Sequence, residues 1–230
     1  MGPNRMPFPA PISLSHLETS AYVRFSLLAL SSIFFLVDPF AALPTFLAVT
    51  ADQDTAKRGR TARKASLTAL VILTGFAAAG QSIFRIFGIT LPAFEIAGGV
   101  ILLLIGLDML EAKRSPTQEA SGETEEAATK DDAGIVPMGI PMLAGPGAIT
   151  SVMVLVGQAQ DVRQRLAIYS AILITCTACW LVLGSAEKVA RALGDTGIRI
   201  LVRIMGLLLV ALAVQDFVNG LMDLGVISRP

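Results

Sequence analysis

Six stretches of the chain are apolar almost without a break: Tyr22 to Val49, Ala65 to Phe87, Leu91 to Leu110, Ile135 to Val156, Leu166 to Gly184 and Ile198 to Leu221. Each approaches or exceeds the roughly 20 residues a helix needs to cross a bilayer core. Between the third and fourth, Glu111 to Gly134 is polar, acidic and rich in Ala, Thr and Ser, the composition of a flexible linker. The pattern predicts an all-α membrane protein of six transmembrane helices. Its expected parts are a flexible N-terminal segment (1–21), a first three-helix repeat (22–112), an acidic cytoplasmic linker (113–134), a second three-helix repeat (135–221) and a C-terminal tail (222–230).

Two of the six stretches are interrupted by proline. The first reads Phe35-Leu36-Val37-Asp38-Pro39-Phe40-Ala41-Ala42-Leu43-Pro44, the second Leu143-Ala144-Gly145-Pro146-Gly147-Ala148-Ile149-Thr150. Proline removes an N–H from the helix ladder, and freed backbone groups at membrane depth persist only where protein or a wet cavity receives them. The interruptions fall in corresponding positions of two halves. Pro39 lies 107 residues before Pro146, Arg85 and Gly88 lie 106 before Arg191 and Gly194, and Gly98 and Asp108 lie 108 before Gly206 and Asp216. A near-constant offset across separate elements indicates an internal repeat. Three spans per half is an odd number, so the halves must be inverted, with the first helix of each broken at mid-membrane. Paired breaks of this kind point to the substrate site of a transporter.

The residues at the breaks suggest a chemistry. Asp is a favoured N-cap and Pro39 suits the first helical position; Gly145 and Pro146 repeat the arrangement. Each break then aims a half-helix N-terminus, with free N–H groups and partial positive charge, at the membrane centre, where it would receive a carboxylate. The ammonium group of a small zwitterion would meet Asp38, or carbonyls freed by Pro44 and the Gly145-Pro146-Gly147 turn. Thr45, Thr150 and Ser151 offer hydroxyls, while Ala41, Ala42, Gly147 and Ala148 leave room. The expected substrate site is therefore Asp38, Pro39, Ala41, Ala42, Pro44, Thr45, Gly145, Pro146, Gly147 and Thr150. The plainer reading makes Asp38 only the cap of a kinked structural helix.

Four further charges lie within the spans. Inversion sets Glu95 and Asp216 toward the outer side, and Asp108 and Arg203 toward the inner, where an Asp108–Arg203 pair would form a gate. Snorkelling of all four to the headgroups is the plainer alternative. Gly98, Gly99 and Gly206 suit close helix packing in lipid.

Composition narrows the function further. Of 230 residues 53% are hydrophobic and only 16% charged, mean hydropathy is +0.67 and formal net charge is zero. A nucleic-acid-binding role is excluded for want of a basic patch. Lys57, Arg58, Arg60, Arg63, Lys64, Lys113, Arg114, Lys130, Lys188, Arg191 and Arg199 fall on one side of the predicted bundle. Arg5, Arg24, Arg85, Arg163, Arg165 and Arg229 fall on the other. The excess marks the first side as cytoplasmic and both termini as periplasmic. Cys176 and Cys179 form C-x-x-C inside an apolar helix without further ligands, which suits small apolar packing rather than redox or metal chemistry. The one histidine, His16, precedes the first span, so a histidine-based metal site has no material. The first 20 residues fit neither a cleaved signal peptide nor a myristoylation signal. No nucleophile–base pair, phosphate loop or nucleotide motif lies in the spans, so no enzyme activity, cofactor or ATP drive is expected.

At Asp38-Pro39-Phe40 with Pro44 and Phe46, at Leu143 to Thr150, and at Arg203-Ile204-Met205-Gly206-Leu207-Leu208, the chain resembles the MarC family. These are six-span bacterial inner-membrane proteins grouped with neutral amino acid transporters. The resemblance runs from about Tyr22 to Leu221 and implies two inverted three-helix halves carrying a small neutral amino acid. It departs from the family at Ala41-Ala42, where Gly-Asn is common, and at Glu95, where a basic residue is frequent. The resulting expectation is an inner-membrane secondary transporter for a small neutral solute, coupled to a proton or sodium ion. Its partners are the lipid bilayer and that solute, with homo-oligomerisation left open. The competing expectation is a non-transporting membrane scaffold or regulatory protein whose helix breaks are structural.

Overall fold

The structure is a computed structural model that describes residues 14–111 and 133–228. All elements among the described residues are helical. They are α1 (Leu14–Val37), α2 (Leu43–Val49), α3 (Thr55–Phe87), α4 (Leu91–Leu110), a π-helical turn (Met138–Leu143), α5 (Pro146–Gln158), α6 (Val162–Gly184) and α7 (Ala186–Asp223). Among the described residues four helical segments are long and apolar enough to cross a membrane: Thr55–Gly80, Leu91–Leu110, Val162–Gly184 and Thr196–Asp223. The first and fourth predicted spans are instead built in pieces, with apolar helices only over Ala21–Val37 and Pro146–Gln158. The acidic linker predicted over 113–134 lies outside the described residues except for its last two. Helix α1 starts at Leu14, inside the segment expected to be flexible.

Local chemistry sets the helix ends. Asp54 caps α3 by accepting from the Lys57 N–H at 2.6 Å, and Asp161 caps α6 by accepting from the Gln164 N–H at 2.7 Å. Each such cap satisfies an N–H that would otherwise be orphaned, contributing about 1 kcal/mol. Gly88 closes α3 in the left-handed region (φ 64°), and Gly194 kinks α7 with the same φ. A side chain disfavours that backbone, which is why glycine stands at both points.

Packing pairs the elements across the two halves of the chain. Helix α4 lies along α7 and α3 along α6; α1 packs on α6, while the π turn and α5 pack on α3. The α4–α7 pair is antiparallel and very close. A Cβ at Gly106 would lie 3.0 Å from the Gly206 carbonyl oxygen, and one at Gly99 would lie 2.7 Å from that of Ala213. Gly98 faces the opposite way, its missing side chain filled by the Thr150 methyl of α5. Helix α4 is thus held between α5 and α7 by two adjacent glycines.

One end of the bundle joins the segment after α2, the start of α3, residues 133–137 and the start of α7. The Arg58 guanidinium bonds the Glu187 carboxylate there and the Thr50 carbonyl at 2.9 Å, and Gly134 lies against Lys64. At the other end Leu91 meets Gly157, and Pro92 meets Gly220.

Candidate functional site

Both breaks belong to one buried cluster. Val37, Ala42, Leu43 and Phe46 from the first share it with Leu143, Ala144 and Ala148 from the second. Sequence positions about a hundred residues apart are therefore joined through α1, α5 and α6.

The first break differs in detail from the expected half-helix start. Helix α1 ends at Val37, and Asp38 adopts φ 38°, the one described non-glycine residue with positive φ. Its Oδ1 accepts from the Ala41 N–H at 3.0 Å, which is the geometry of an N-cap. A regular helix does not follow, however: residues 39–42 form turns, and α2 begins at Leu43 with Ala42 in the cap position. Pro44 then falls in the first turn of α2, where a missing N–H costs little. The carbonyl of Phe40, which Pro44 was expected to free, accepts from the Leu43 N–H at 3.2 Å. Pro44 itself is exposed, so it does not join the other predicted residues. Pro39, Ala42 and Thr45 are buried and Ala41 is half-buried.

At the second break, Pro137 and Pro141 lack the N–H groups an α-ladder would use there. The bonds that form skip a residue, as in Met142 N–H to Pro137 C=O at 3.2 Å and Ala144 N–H to Gly139 C=O at 3.0 Å. Helix α5 then starts at Pro146 with Gly145 as cap, as the sequence predicts. Its first turn is closely packed: a Cβ on Gly147 would lie 2.6 Å from a Leu102 methyl, and one on Gly145 would lie 2.7 Å from the Pro141 carbonyl oxygen. The carbonyls expected to be free here are engaged. Gly145 C=O accepts from the Ile149 N–H at 3.0 Å, and Pro146 C=O from the Thr150 hydroxyl at 2.8 Å.

Asp38 stands apart in this apolar setting. It is 7% exposed, and its Oδ2 is buried with no hydrogen-bond partner. An ionised carboxylate in that position is costly without a partner of opposite charge.

The four other charges fall into two groups along the antiparallel α4–α7 pair. Gly106 against Gly206 sets Asp108 and Arg203 at one end of the α4–α7 pair, and Gly220 against Pro92 sets Glu95 and Asp216 at the other. Glu95 and Arg203 are thus far apart although they align in the repeat. Glu95 is 2% exposed and accepts from the Gln158 side-chain amide at 3.0 Å, with its second oxygen unpartnered. A carboxylate that buried is not snorkelling, so the plainer reading fails for Glu95, whereas Arg203 is exposed. Gln158 was missed from sequence because nothing local distinguishes it from an ordinary helix-end residue. Both cysteines are free and buried, in keeping with apolar packing.

The profile of the MarC family of integral membrane proteins matches residues 23–224. The chain is 42% identical over 199 residues to a UPF0056 membrane protein of Methanocaldococcus jannaschii, covering 86% of this chain and 97% of that one. It is 35% identical over 196 residues to a UPF0056 membrane protein of Aquifex aeolicus, covering 85% and 92%. To the UPF0056 membrane protein YhcE of Escherichia coli it is 34% identical over 189 residues, covering 82% and 88%. No solved structure matches the chain.

Proposed function

The chain belongs to the MarC family of integral membrane proteins, and on that footing we propose that it is a secondary transporter for a small neutral solute of the amino acid class. The observation that carries the reading is Asp38: a buried carboxylate at a helix break, one oxygen capped by the Ala41 N–H and the other unpartnered. A solute ammonium group, a proton or a sodium ion would supply the missing partner. The first turn of α5, in the same buried cluster, would take the carboxylate end.

Alternating access would rest on two inverted three-helix halves. Three features support that symmetry: the matched caps Asp54 and Asp161, the corresponding positive-φ glycines Gly88 and Gly194, and the reciprocal packing of α1 on α6 and α5 on α3. The basic end of the bundle would face the cytoplasm of a bacterial inner membrane, with both termini periplasmic.

A second reading, a scaffold or regulatory protein with structural breaks, is favoured by the tight contacts of Thr150 on Gly98 and Gly147 on Leu102. Uptake of labelled glycine, alanine and serine into proteoliposomes, with and without a proton or sodium gradient, separates the two. Asn is as good a cap as Asp and tolerates positive φ. Asp38→Asn should therefore insert and fold normally yet lose transport or its dependence on the gradient. Wild-type uptake by that variant would remove Asp38 from the mechanism, and no uptake by the wild type would favour the scaffold.

A further inference from the structure

A groove on the outer surface of the bundle runs between the start of α3 and the end of α6. One part, a cleft of about 230 Å³, is lined by Arg63, Ser66, Leu67, Leu70, Leu173 and Trp180. It continues past Arg63 and Trp180 into a second hollow beside Arg60, Gly59 and Gly184. The order of residues along α3 matters. Arg60, Arg63, Leu67 and Leu70 recur at three- and four-residue spacing, so they form one stripe that is cationic at the helix start and apolar beyond. Trp180 stands at the boundary between the two, where aromatic residues mark the level of lipid headgroups.

The charges along this groove are not all engaged alike. Arg58 is engaged by Glu187 and the Thr50 carbonyl, but Arg60 and Arg63 have no ion pair among the described residues. An occupant that fits offers negative charge at the arginines and hydrocarbon beyond them. A water-soluble anion does not supply the hydrocarbon, and an apolar helix does not supply the charge.

We propose that the groove between α3 and α6 is a specific binding site for one anionic phospholipid. Its phosphate lies on Arg60 and Arg63, and its acyl chain over Leu67, Leu70 and Leu173. The site belongs to the leaflet at the basic end of the bundle. It is independent of whether the chain transports anything.

Native mass spectrometry of the full chain, released from micelles holding equal phosphatidylglycerol and phosphatidylcholine, tests this directly. Each arginine at an anionic lipid contributes roughly fivefold, so with two arginines one retained phosphatidylglycerol should exceed phosphatidylcholine by roughly twenty-fivefold. Arg60→Gln with Arg63→Gln should bring the two lipids close to parity. Thr177→Phe changes no charge and no core contact, since Thr177 is an exposed residue lining the cleft. It should displace the lipid, and Gly184→Leu, at a position with no atom within 4 Å of a new Cβ, should do the same in the adjoining hollow. Equal retention of both lipids in the wild type would overturn the proposal. So would a phosphatidylglycerol preference that survives both filling variants, which is ordinary surface attraction, or a lipid-free dimer, which would seat a second copy of the chain in the groove.

Discussion

Replacing Gly99 by alanine should cost stability although alanine is the better helix former. A Cβ at that position would lie 2.7 Å from the Ala213 carbonyl oxygen and 3.2 Å from the Phe217 backbone nitrogen. Ordinary contact begins near 3.4 Å, so α4 and α7 must part by about 0.7 Å. The neighbours are backbone, and no rotamer change relieves them. Overpacking of this kind costs about 1–3 kcal/mol, against up to about 1 kcal/mol gained from helix propensity. The expected net loss is about 1–2 kcal/mol. Gly75→Ala is the internal control. Gly75 is an exposed position in α3 with nothing within 4 Å of a new Cβ, so it keeps the propensity gain of about 0.5–1 kcal/mol. Reversible unfolding in mixed dodecyl sulfate micelles, followed by helicity, should separate the two variants by about 2 kcal/mol. A Gly99→Ala midpoint equal to or above that of Gly75→Ala would refute the close α4–α7 contact.

Other expectations follow from the same geometry. Asp54→Ala and Asp161→Ala should each lose about 1 kcal/mol in that assay while the Asn variants hold, because only the cap acceptor is removed. Asp38→Ala should lose about 1–2 kcal/mol, as it removes the cap to Ala41 and leaves alanine at positive φ; thermal melting of the Ala and Asn variants side by side checks this. If Asp108 and Arg203 close one end of the bundle, either change alone should reduce solute uptake, and exchanging the two should restore part of it. A reporter fused after Pro230 should score as periplasmic, and a cytoplasmic signal would reverse the orientation taken from the basic residues.

Much of this architecture is legible in the order of residues. Apolar length and the prolines at 39, 44 and 146 are local properties, and they point to helices and breaks without any knowledge of packing, whereas Pro137 and Pro141, which shape the π-helical turn, went unread. The start of α5 at Pro146 follows from them directly. The start of α2 does not: Asp38 makes the predicted cap bond, yet the chain spends residues 39–42 in turns before the helix begins, because burial of Val37, Ala42 and Leu43 in the shared cluster sets the path. Which face of each helix meets which neighbour is also decided only in three dimensions. In a soluble helix, polar residues mark the outer face. In α4 lipid and protein both take apolar side chains, so Gly98 and Gly99 look alike in sequence although one receives Thr150 of α5 and the other the backbone of α7. The pairing of Glu95 with Gln158 has the same origin: it depends on the antiparallel register of tightly packed helices, which no single segment records.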